Sequence, residues 1–127
     1  MDRLNLLGIW LVASLLAFAS SGCGAPAGGD KEAAVQHLSE AQKAIAAGDT
    51  AGAMTLLQAS IDSQPNVWAY LERAKLNAKA GKDQEALADC EEILKLHPEN
   101  RDVAWIKVEL KKPADKRFQT APPSMKK

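Results

Sequence analysis

The chain has 127 residues, and its 16 Lys and Arg balance 16 Asp and Glu, so neither a polyanion nor a polycation is an obvious partner and no nucleic-acid binding is expected. That length holds one small packed core and excludes both a second domain of similar size and a large catalytic cavity. The neutrality hides a gradient, because residues 30–110 carry 9 basic against 14 acidic side chains whereas residues 111–127 carry 6 against Asp115 alone.

The chain begins with a targeting signal. Arg3 beside Asp2 precedes an apolar run from Leu4 to Ala19, shorter than the roughly 20 residues that span a bilayer, and Ser20-Ser21-Gly22 leads into Cys23. Small residues before a cysteine, followed by a Gly- and Ala-rich stretch from Gly24 to Gly29, resemble a bacterial lipobox, although Ser20 stands where leucine is usual. The resemblance implies that residues 1–22 are a lipoprotein signal peptide. Cys23 then receives diacylglycerol and palmitate-type acylation as the mature N-terminus, and residues 23–30 form a flexible linker. A short uncleaved anchor, or a signal cut elsewhere with Cys23 incidental, are the other readings. Each takes the body out of the cytoplasm. Under the lipobox reading the destination is the bacterial cell envelope, and Gly24 in place of Asp after the cysteine favours the outer membrane or its periplasmic face where two membranes exist. Lipidation also leaves Cys90 without a disulfide partner, so stability must come from helix packing.

Five helices follow. The first starts at Asp30 or Lys31 and runs to Ala47, with Leu38, Ala41 and Ile45 on one stripe. Asp49 and Thr50 are positioned to cap a second helix that carries Ala53, Leu56, Leu57, Ser60 and Ile61 on one face. A third spans Trp68 to Ala80, Asp83 is placed to cap a fourth with Ala86, Leu87, Cys90, Ile93 and Leu94 as its stripe, and a fifth covers about residues 101–112 with Val103, Ile106 and Leu110. From Pro113 onward, three prolines and few apolar anchors predict a disordered basic tail over 113–127, either solubilising or bound to anionic lipid or an acidic envelope polymer.

The helices repeat. Ala41, Gly48, Ala53 and Pro65 recur 33 residues later as Ala74, Gly81, Ala86 and Pro98. The alanines allow two helices to approach, the glycines end the first helix of each pair, and the prolines stop the second. This order resembles the tetratricopeptide repeat, with Tyr70, Arg73, Ala74, Asn77, Ala86, Cys90 and Pro98 at its marked positions in the second copy. His37, Glu40, Ala41, Ala44, Ala53, Leu57 and Pro65 hold them in the first. Polar residues at His37, Glu40 and Asn77 depart from the family's large apolar choices. The resemblance implies an all-α fold, two tetratricopeptide-type hairpins over residues 31–112 with a C-terminal capping helix, a short α-solenoid. It also implies a partner-binding groove along the first helix of each repeat: Val35, Leu38, Gln42 and Ala46, then Trp68, Leu71, Lys75 and Lys79. An apolar mouth with two cations deeper in suits an extended segment with an apolar anchor and a carboxylate; alternatively, the lysines only solvate the acidic body.

No H-E-x-x-H, paired C-x-x-C or phosphate-cradling loop is present, and no cofactor or metal is expected. His37 and His97 are isolated, Cys90 lies on a packing stripe, and Asp89, Glu91 and Glu92 belong to a solvated face. A non-enzymatic, lipid-anchored interaction scaffold at the envelope is the leading function, with a protein or peptide partner, the membrane reached through lipid, and self-association left open. An accessory subunit of a secretion, pilus or outer-membrane assembly complex is the alternative, and a hydrolase with unrecognised carboxylates is the remaining one.

Overall fold

A computed structural model describes residues 30–125; the expected signal peptide, Cys23 and the expected linker up to Gly29 lie outside the described residues. The helices are α1 (Lys31–Ala46), α2 (Thr50–Ser63), α3 (Val67–Lys79), α4 (Asp83–Leu96) and α5 (Arg101–Glu109), followed by single 3-10 turns at Ala114–Lys116 and Pro123–Met125. α1 pairs with α2 and α3 with α4, α3 rests on α2, and α5 closes on α3 and α4. Two helical hairpins and a closing helix thus make a short all-α solenoid, as the resemblance implies.

The local chemistry of the hairpins is duplicated. Gly48 at φ 79° and Gly81 at φ 76° take the left-handed conformation that a side chain disfavours. Around each, the next two amides return to the last turn of the preceding helix: Gly48 N to Ile45 O and Asp49 N to Ala44 O, Gly81 N to Ala78 O and Lys82 N to Asn77 O. Asp49 then caps α2 through Gly52 N at 2.9 Å. The second turn differs at this point. Lys82, not Asp83, is the N-cap of α4 and makes no side-chain cap bond; the Asp83 carboxylate is engaged by Arg117 instead.

Ala41, Ala53, Ala74 and Ala86 are fully enclosed, so the two helices of each hairpin meet over small side chains. Leu57, Leu71, Ile93 and Ile106 are fully buried in one core cluster. Cys90 sits among them, and burial pushes its thiol up to about 11. At pH 8 about one molecule in a thousand then carries the thiolate. Folded protein is expected to resist a maleimide or disulfide reagent at Cys90 at that pH and to react within seconds once denaturant exposes it; equal rates in both states would contradict this burial.

Two expectations are corrected. Asp89 is not on a solvated face: it is 3% exposed and receives the Arg73 guanidinium through Nε and Nη2. Arg73 also donates to Gln58 Oε1 on α2 and lies over the Tyr70 ring at 5.4 Å. The hydrogen bond to Asp89 raises the Arg73 pKa further against the opposing effect of burial, so the ion pair persists. Gln58, Arg73 and Asp89 thus join α2, α3 and α4.

The second correction is the C-terminus, since residues 113–125 form a packed strap along α5 rather than a disordered tail. All five N–H donors of Arg117 are used: Nε to Lys112 O, Nη1 to Ala78 O and Asp83 Oδ1, Nη2 to Asp83 Oδ2 and Leu110 O, at 2.6–3.1 Å. Glu109 accepts from Phe118 N at 2.8 Å, Asp102 from Ser124 N at 3.0 Å, and the Phe118 ring meets Trp105 edge-on at 5.1 Å. Burial pushes the Glu109 carboxyl up, but hydrogen bonds from Lys112 and Phe118 outweigh it and leave the pKa lowered. Composition alone missed this because one arginine and one aromatic residue supply most of the attachment. Arg117→Ala is expected to weaken the strap by about 2–3 kcal/mol, seen as accelerated amide exchange at Phe118 and Ser124. Arg117→Lys should not restore protection, because an ammonium cannot reproduce the planar fork.

Candidate functional site

The stripe expected to line a partner groove is divided by the structure into unlike parts. At one end, the first two turns of α1 present Lys31, Ala34, Val35 and Leu38 at helical spacing, facing Trp68 at the start of α3, and together with Gln64 and Asn66 they enclose a cavity of about 180 Å³. Its wall is apolar. Val35 is 65% and Trp68 46% exposed, a combination of large apolar side chains without cover.

Hydrogen bonds hold the base of this cavity. Asn66 caps α3 by accepting from Ala69 N at 2.8 Å, while its amide donates to Gln64 O and to Ser60 Oγ. Ser60 Oγ in turn donates to Ala34 O at 2.7 Å. One buried hydroxyl therefore ties α1, α2 and the start of α3 together, and the rim position of Trp68 follows from that frame.

Further along α3 the stripe changes character. Leu71 is fully buried in the same core cluster as Val103 and Ile106 of α5, so it is a packing residue and not part of an open groove. Lys75 is bound to Glu72 at 2.9 Å with its side chain 20% exposed. Lys79, about 16 Å from Trp68 by helical rise, lines a separate cavity of about 510 Å³ with Ala114, Asp115, Arg117, Phe118 and Gln119 of the strap. Gln42 and Ala46 are exposed on α1. Val35, Leu38 and Trp68 therefore come together; Leu71, Lys75 and Lys79 do not join them.

Lys31, Ala34, Gln64 and Asn66 are lining residues that the sequence reading missed. Lys31 was accessible to it, lying four residues before Val35 on the same helix face, and Asn66 is a favoured cap directly before an apolar helix start. Among the described residues no three His, Cys, Asp or Glu side chains gather as a metal site. None of the described helices is long and apolar enough to cross a membrane. His37 is half-buried on α1 with Nδ1 unpaired.

Comparison with known proteins falls on the second hairpin: residues 68–100 match the family described as tetratricopeptide repeat. No curated protein and no solved structure matches the chain. The matched segment contains α4 and nearly all of α3, and the first hairpin repeats its turn geometry and its small interhelical residues. By that match the second hairpin is a tetratricopeptide repeat, and the first hairpin has the same construction.

Proposed function

We propose that this protein is a lipid-tethered scaffold of the bacterial envelope that holds a partner protein by an extended segment. Tetratricopeptide repeats are typically non-catalytic modules for protein interaction, so a protein partner follows from the family match. The apolar run ending at Ser20-Ser21-Gly22-Cys23 supports the tether at Cys23. The observation that carries the partner site is the uncovered apolar cavity bounded by Val35, Leu38 and Trp68, with Lys31 as the charged group among its lining residues. An aliphatic or aromatic anchor fits its volume, and a neighbouring carboxylate on the partner complements Lys31.

Two measurements test the two halves separately. Mass spectrometry of the mature protein is expected to show diacylglycerol on Cys23, and Cys23→Ser to leave an unprocessed precursor; a mature N-terminus elsewhere removes the tether. Crosslinking in intact cells is expected to recover a partner with the wild type and to lose it by at least about tenfold with Trp68→Ala. Thr55→Ala, exposed on α2 and away from the cavity lining, serves as the control. Undiminished capture by Trp68→Ala excludes this cavity as the partner site.

A further inference from the structure

The strap is anchored at Arg117 and Phe118, and the second anchor is held in a strained backbone conformation. Every Arg117 donor is satisfied, yet Phe118 stands at φ 59°, a conformation uncommon for a bulky side chain. Beside its ring, Trp105 Nε1 is shielded from solvent with no acceptor. An unpaired buried donor is costly, and here it sits next to the strained residue. The cavity between Lys79 and residues 114–119 adds open space at the same place.

The strain has a geometric setting. Arg117 must first fold back to the carbonyls of Leu110 and Lys112, only five to seven residues earlier, and Phe118 must then turn onto Trp105. A segment not joined to α5 makes no such reversal. It meets the same Asp83 carboxylate, the same Ala78 and Leu110 carbonyls and the same Trp105 ring, with its backbone free to offer an oxygen to Trp105 Nε1.

We propose that this face of α3, α4 and α5 is a second docking site, for a partner segment carrying arginine followed by an aromatic residue, and that the strap is its displaceable intramolecular occupant. The ligand chemistry is that of the segment seated there: a planar guanidinium forked onto Asp83 at 2.6 and 3.1 Å and capping two helix-end carbonyls, then a ring against Trp105. The tether holds the strap near its site at an effective concentration in the millimolar range, roughly. Strain and the unpaired indole offset that advantage for an untethered competitor. This site is separate from the Val35–Trp68 cavity and stands or falls without it.

A labelled synthetic peptide with the sequence of residues 113–127 is the probe, titrated by fluorescence anisotropy into the full chain. It is expected to bind Arg117→Ala protein, whose own strap is loosened, at least about tenfold more tightly than wild type. A peptide in which the arginine is replaced by alanine should bind neither. Phe118→Gly protein is the second receptor, because glycine accepts the positive φ and Arg117 remains to preserve the fold; it too should exceed wild type. Absence of saturable binding to whichever receptor is folded by circular dichroism overturns the proposal, as does equal affinity for wild type and the loosened variants. A concentration-dependent wild-type dimer that requires Arg117 would assign the site to a second copy of this chain and overturn the partner assignment.

Discussion

Asp89→Ala is expected to lower the unfolding free energy by about 3 kcal/mol, the low end of the cost of leaving one charge of a buried pair alone. Asp89 is almost wholly enclosed, whereas the Arg73 side chain keeps 20% of its surface. Water can therefore reach part of the guanidinium once the carboxylate is gone, and Gln58 and Tyr70 continue to hold it. Those contacts keep the loss from reaching about 5 kcal/mol. Even so, it is a large part of the roughly 5–15 kcal/mol available to a small domain. Equilibrium urea denaturation measures it directly. The double variant Arg73→Leu with Asp89→Leu should recover most of the loss, because apolar packing replaces an expensive desolvated pair. A single variant within about 0.5 kcal/mol of wild type would show that the ion pair does not join the helices as described.

Leu57→Ala is expected to cost about 2–5 kcal/mol. Leu57 has no exposed surface, and it belongs to one core cluster with Ala41, Ala74 and Leu71. The alanines are already as small as a close helix contact permits, so neighbouring side chains cannot move in to fill the space. The upper half of the range is the appropriate one. For a domain of this size each kcal/mol lowers the melting temperature by about 4–8 °C, so the variant should melt far below wild type or be partly unfolded at 37 °C. Leu96→Ala is the comparison, being 47% exposed at the end of α4, and should change stability little. Coincident melting curves for Leu57→Ala and wild type would contradict the packing of α2 against the second hairpin.

The sequence by itself determined the two hairpins. Gly48, Gly81, Pro65 and Pro98 act through their own backbone conformations, Asp49 through an amide three residues away, and the apolar stripes through helical period, so each signal is complete within a few residues. Val35 and Leu38 reach one cavity with Trp68 for the same reason, since equivalent positions of adjoining repeats face alike. Only the tertiary structure decided what covers each stripe. Leu38 and Leu71 are equivalent in sequence, but Leu71 shares a core cluster with α5 and is sealed, while Leu38 stays half open. Asp89 lies three residues after Ala86 and four before Ile93, on the buried stripe of α4, yet its charge reads as surface until Arg73, 16 residues earlier, arrives across the hairpin to pair with it. Arg117 reads as one more charge in a basic tail until Ala78, Asp83 and Leu110 are brought to one point around it. No local preference encodes that convergence: a carbonyl and a carboxylate attract a guanidinium only once the fold has placed them within hydrogen-bonding distance.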